Sequence, residues 1–144
     1  MANGVLNLKM NHKILVVDDK GINRYMLGEI FRDRYEILEA AGGAEAIEMI
    51  AKEKDELAIV LLDIIMPGVN GFDVLAYMKE HQLLDTLPVI VVTDDSTDET
   101  AGKAFAYKVA DMVIKPFEPR IIRRRVQNII ELYAYRNEER RNEF

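Results

Sequence analysis

Residues 58–62, Ala-Ile-Val-Leu-Leu, are five apolar residues in a row, and Asp63 follows them directly. A run so short and so free of polar alternation suits a β-strand buried on both faces of a parallel sheet. Both faces of such a sheet must be covered, and helices do the covering. Met66-Pro67-Gly68 then turns the chain away and leaves Asp63 at the mouth of a loop. A carboxylate there lies at the carboxyl edge of the sheet, where open α/β folds place their ligands.

The same pattern recurs along the chain. Lys13 to Val17 is a second buried strand, ending in Asp18-Asp19. Pro88 to Val92 is a β-branched run ending in Thr93, and Asp111 to Ile114 is a last short strand ending in Lys115-Pro116. Tyr35 to Ala40 is more mixed and reads as an edge strand. Between these, Ile22, Met26, Ile30 and Phe31 recur at helical spacing, as do Ala44, Ile47, Ile50 and Ala51, and then Phe72, Leu75, Ala76 and Lys79. Ser96-x-x-Glu99 fits a capping box opening a fourth helix, which Gly102 weakens. Pro119 suits the first turn of a fifth, whose stripe is Ile122, Val126, Ile129, Ile130 and Tyr133. Strand and helix alternate five times, which predicts an α/β fold with a parallel sheet between helices.

At 144 residues the chain supports one domain with a real core. A 49% apolar fraction and a mean hydropathy of -0.08 suit a soluble protein, and no apolar run approaches the ~20 residues of a membrane span. The N-terminus lacks a signal-peptide pattern, so a cytoplasmic protein is expected. Without cysteine there is no disulfide, thiolate metal site or cysteine nucleophile, and His12 and His81 share no motif. A net charge of -6 disfavours direct nucleic-acid binding and accords with a cation-binding acidic site.

Because parallel strands end on one edge, the topology gathers Asp18, Asp19, Asp63, Thr93 and Lys115 around one crevice. Clustered carboxylates repel unless a cation joins them. A hard divalent ion relieves this, Mg²⁺ by preference, since it keeps waters for a phosphate. Lys115 and Thr93 would bind a phosphoryl group, and a carboxylate can itself be the nucleophile, giving an aspartyl-phosphate.

This set resembles the receiver domain of two-component response regulators. The matching motifs are Val16-Val17-Asp18-Asp19-x-x-x-Asn23-Arg24, Asp63-x-x-Met66-Pro67-Gly68-x-x-Gly71 and Lys115-Pro116-Phe117-Glu118-Pro119. The resemblance covers residues 12–134, with an N-terminal arm at 1–11 and a charged helical extension or linker start at 135–144. It implies a flavodoxin-like five-stranded parallel sheet in the order 2-1-3-4-5 with five flanking helices. It also implies that Asp63 accepts a phosphoryl group from a sensor histidine kinase or phosphotransfer protein. Asp18, Asp19, Asp63 and the backbone carbonyl of Ile65 would hold Mg²⁺, with Mn²⁺ as the alternative. Thr93 and Lys115 would meet the phosphoryl group, the bond to Pro116 would be cis, and the face of helix 4, strand 5 and helix 5 would carry the signal. A homodimer and a C-terminal output domain are compatible with it.

The chain departs from the family pattern in places. Where the family has an aromatic residue three positions before the lysine, this chain has Met112, with no hydroxyl to lock a rotamer. Asp94 follows Thr93 where a small residue is usual. Ile65 and Asp95 occupy positions that tune dephosphorylation. Apolar Ile65 cannot hydrogen-bond an attacking water, so slow self-dephosphorylation is expected. Two other classes compete. One is a phosphorylation-independent docking or dimerisation module. The other is a small nucleotide or flavin binder, opposed by Asp18-Asp19-Lys20-Gly21 where a Gly-rich phosphate loop would lie.

Overall fold

The structure, a computed structural model, describes residues 10–142. Residues 1–9 of the expected arm and 143–144 of the expected extension lie outside the described residues. The elements run β1 (Lys13–Val17), α1 (Gly21–Phe31), β2 (Glu36–Ala40), α2 (Gly43–Glu53), β3 (Leu57–Leu62), α3 (Gly71–Glu80), β4 (Val89–Thr93), α4 (Asp98–Ala106), β5 (Asp111–Ile114) and α5 (Pro119–Asn142). All strands pair in parallel, in the order β2-β1-β3-β4-β5. This is the flavodoxin-like doubly wound sheet that the family resemblance implies. No helix among the described residues is long and apolar enough to cross a membrane.

Side chains alternate across a strand, so each buried run feeds two cores. Leu15, Val17, Val60, Leu62 and Val91 meet Ala46 and Ile50 of α2 and Val74, Leu75 and Met78 of α3. Ile14, Val16, Ile59, Leu61, Ile90 and Val92 point the other way, onto Leu27 and Phe31 of α1 and Ile122, Val126 and Ile130 of α5.

The faces of three helices differ from those expected. In α1 the buried residues are Leu27, Gly28 and Phe31, while Ile22 and Met26 are exposed. Gly43, Ala46 and Ile50 line α2, and Gly71, Val74, Leu75 and Met78 line α3. Each true face contains a glycine, which a hydropathy pattern does not score. A Cβ at Gly43 would stand 2.3 Å from the Val69 carbonyl oxygen, and one at Gly71 would stand 2.5 Å from that of Asp63. At both positions the start of the helix lies directly against backbone, with no room for a side chain.

The capping expectation for α4 is also corrected. Its N-cap is Thr97, whose side chain accepts from the Thr100 N–H, one residue later than Ser96. The Asp95 carboxylate binds the Thr97 N–H and hydroxyl, which delays the helix start. The reciprocal capping box belongs to α3, between Asn70 and Asp73. The stripe of α5 lies as expected, with Ile122, Val126, Ile130 and Tyr133 buried. Its end folds under the sheet, where Asn137 donates to the Thr86 carbonyl at 3.0 Å. Earlier in the same helix, Arg123 holds Asp33 through both terminal guanidinium nitrogens and also reaches the Ile30 carbonyl.

Candidate functional site

Asp18 and Asp63 each stand one residue past a strand, with their backbones still tied to the neighbouring strand. The Asp18 N–H donates to the Ala40 carbonyl at 3.2 Å, and the Asp63 N–H to that of Val17 at 2.9 Å. Continued pairing holds both carboxylates rigidly at the sheet edge. Asp18 is 1% exposed and Asp63 6%, whereas Asp19 faces solvent. Oxygen atoms of the three lie within 4.8 Å of one another.

Lys115 enters from β5, its N–H bound to the Thr93 carbonyl at 2.8 Å. Its ammonium lies 2.8 Å from Asp18 Oδ2 and 3.2 Å from Asp63 Oδ2. The Lys115–Pro116 peptide bond is cis. Three carboxylates meet one ammonium, which leaves an excess of two negative charges. Burial pushes the Asp63 carboxyl above the ordinary carboxylate value, and the Asp18 charge adds to this; Lys115 offsets only part of it. Burial alone would depress the Lys115 ammonium, but its hydrogen bond to Asp18 and the charges of both acids raise it overall. Two buried carboxylates and one at the surface, all oxygen ligands with net negative charge, are the donor chemistry that hard divalent cations take.

A cavity of about 400 Å³ opens above the cluster, lined by Asp19, Lys20, Asp63, Ile65, Met66, Pro67, Asp94 and Lys115. Comparable or larger hollows lie on α5 (≈ 520 Å³) and under the sheet (≈ 470 Å³), but neither gathers a buried acid set. Ile65 is 54% exposed at the mouth, and its N–H donates to Asp63 Oδ1 at 3.2 Å. Asp94 lines the cavity; Asp95 does not and turns toward α4. Thr93 is fully buried, and its hydroxyl accepts from the Asp95 N–H at 3.3 Å. It is not among the cavity-lining residues. Met112 is half-buried against the α3 side of the core.

Asn23 and Arg24, part of the first motif, support the site through Asp18. Asn23 donates to Asp18 Oδ2 at 3.2 Å, and Arg24 reaches the Asp18 carbonyl at 2.7 Å while its Nε pairs with Glu39. Their spacing after Asp18, on the first turn of α1, was the available signal. The sequence model of the response regulator receiver domain matches residues 14–127.

The chain belongs to the response regulator receiver domain family. Two-component signal transduction is therefore its setting. It is 31% identical over 122 residues to the transcriptional regulatory protein SrrA of Staphylococcus aureus, across 84% of this chain and 48% of that protein. The chain thus spans about half the length of the curated relatives it matches. Among solved structures, a putative response regulator from Chloroflexus aurantiacus shares 31% identity with a TM-score of 0.75, covering 84% of this chain and 98% of that one. The DrrB receiver domain shares 29% with a TM-score of 0.72, covering 85% and 99%. A signal receiver domain from Vibrio parahaemolyticus, at 20% identity and a TM-score of 0.81 over 89% and 96%, bears on the fold alone.

Proposed function

We propose that this receiver domain is phosphorylated on Asp63, with Mg²⁺ held by Asp18, Asp19, Asp63 and the Ile65 carbonyl. The observation that carries this is the buried Asp63 carboxylate at the base of the cavity, with Lys115 at 3.2 Å and two further acids beside it. An Asp63 oxygen attacks the phosphorus of a phosphohistidine on a kinase or phosphotransfer protein. The new O–P bond forms as the N–P bond breaks, and the imidazole leaves with the bonding pair. The cation, Mg²⁺ or Mn²⁺, supplies positive charge to the phosphoryl oxygens. Lys115 exchanges its bond to Asp18 for one to the phosphoryl group, and Thr93 turns its hydroxyl toward the same group. The ~2 negative charges so added bias a two-state element, here the face of α4, β5 and α5. Homodimerisation through that face and an output domain elsewhere in the full protein, in the cytoplasm, complete the proposal. The related DrrB receiver domain is described as activated by BeF3, which accords with an anion-binding site of this kind.

The test is intact mass spectrometry after treatment with acetyl phosphate and Mg²⁺. Wild type is expected to gain one phosphoryl group and Asp63→Asn none; equal gain in both would remove Asp63 from the role. A phosphate-independent docking module is the second reading. It is favoured by Met112, which has no hydroxyl to follow Thr93, and by Asp94 at the cavity mouth. Wild type that gains no mass would support it.

A further inference from the structure

Thr93 is the innermost residue of the site, yet the group its hydroxyl touches lies on the way to α4. The Asp95 N–H donates to Thr93 Oγ1 at 3.3 Å. The Asp95 side chain then closes over the start of α4. Its Oδ1 accepts from the Thr97 N–H at 3.0 Å and the Thr97 hydroxyl at 2.8 Å. Its Oδ2 accepts from the Thr100 hydroxyl at 2.7 Å. Thr97 Oγ1 in turn accepts from the Thr100 N–H at 3.2 Å. The chain of bonds is continuous from the buried hydroxyl to the first turn of the helix.

Two features make this clasp matter. First, α4 is held weakly by packing: Ala104 is its one fully buried residue, where α1, α2, α3 and α5 each bury three or more. Helices with little buried apolar surface lie at the low-stability end of a structure, so polar bonds at its N-terminus weigh heavily. Secondly, the strand position that could compete for Thr93 carries Met112, which offers no strong hydrogen-bonding group. The hydrogen bonds that hold Asp95 also keep its carboxyl below the ordinary range, that from Thr100 first and those from Thr97 after it, so it stays ionised as an acceptor.

We propose that Asp95 is a positioning residue that couples the Thr93 hydroxyl to the first turn of α4, a route resting on Asp63 as the phosphoacceptor. When Thr93 turns to a phosphoryl group on Asp63, the Asp95 N–H loses its acceptor. The residue shifts, and the side-chain clasp on Thr97 and Thr100 loosens with it. The signal leaves the site through the β4–α4 connection and the start of α4, without a swinging ring on β5.

The test uses Thr100→Val, which removes the hydroxyl at nearly constant shape, and Thr100→Ser, which restores it. Amide hydrogen exchange is read at Asp95 and at Thr97–Ala101, before and after acetyl phosphate and Mg²⁺, with intact mass recorded on the same samples. In wild type, phosphorylation is expected to speed exchange in the first turn of α4 about tenfold, the scale of one or two net hydrogen bonds. In Thr100→Val the turn should exchange that fast already and respond no further, while the Asp95 amide still responds and the mass gain is unchanged. Thr100→Ser should behave as wild type. A purely structural role for the clasp would make Thr100→Val faster in both states with the phosphorylation response intact, which would overturn the coupling. Equal exchange in phosphorylated and unphosphorylated wild type would also overturn it. Absence of any mass gain in wild type would instead refute Asp63 as acceptor, and the route with it.

Discussion

Gly71→Ala puts the approach of α3 to the site under direct strain. The added Cβ would stand 2.5 Å from the Asp63 carbonyl oxygen and 2.6 Å from Ile64 Cα, against 3.4 Å for an ordinary contact. Both neighbours are backbone, so no flexible side chain can yield. The chain must open by about 0.9 Å between the end of β3 and the start of α3. The Gly71 N–H also donates to the Ile64 carbonyl at 3.0 Å, so the opening strains that bond as well. Overpacking of this kind costs ~1–3 kcal/mol. The displaced atoms include the backbone of Asp63, so the carboxylate moves with them. Urea denaturation measures the stability loss, and Mg²⁺ titration by calorimetry measures the site. Gly102→Ala is the control: nothing lies within 4 Å of its Cβ, so it should stabilise by ~1 kcal/mol through helix propensity. Gly71→Ala matching wild type within about 0.5 kcal/mol, with unchanged Mg²⁺ affinity, would refute close backbone approach as the reason for glycine there.

Three further outcomes are expected. Mg²⁺ at ten times its Kd should stabilise the folded chain by about 1.4 kcal/mol, read as a rise in Tm, and Asp18→Ala should lose most of that rise. Because burial raises the Asp63 carboxyl, its ionisation costs folded stability as pH climbs from the ordinary value of 3.8 through the folded pKa. In EDTA, Asp63→Asn should therefore gain on wild type in urea midpoint over that climb; a wild-type advantage at neutral pH would mean that the Lys115 pair outweighs burial. Ile65→Asn should speed phosphoryl loss several-fold, followed as decay of the phosphorylated mass after the donor is removed, because a side-chain amide can orient the attacking water where Ile65 cannot. Unchanged decay would take Ile65 out of that role.

Much of the site was legible because strand ends are marked in sequence. A continuous apolar run announces a doubly buried strand, and the first polar residue after it must lie at the edge. Asp18, Asp63, Thr93 and Lys115 could be placed on one edge that way. Their individual surroundings could not. Asp94 and Asp95 are adjacent identical residues, yet one faces the cavity and the other binds Thr97 and Thr100. No local pattern separates them, because the difference lies in where Thr93 and α4 sit. Likewise the faces of α1, α2 and α3 differ from those read off the spacing: Leu27, Ala46, Val74 and Met78 are buried while Ile22, Met26, Ala44 and Ala76 are exposed, because the row that packs depends on where the sheet lies.

By itself, then, the sequence determined the element order, the parallel sheet and the residues at its carboxyl edge. These follow from hydrophobic periodicity and from the chirality of crossover connections, both carried by the local chain. The tertiary structure decided which acids share a lysine, how buried each is, how the helices are rotated and where the Thr93 hydroxyl finds its partner. Those depend on distances between segments far apart in the chain, such as Asp18 and Lys115, whose positions differ by 97. Such distances are set only when the two cores close around the sheet.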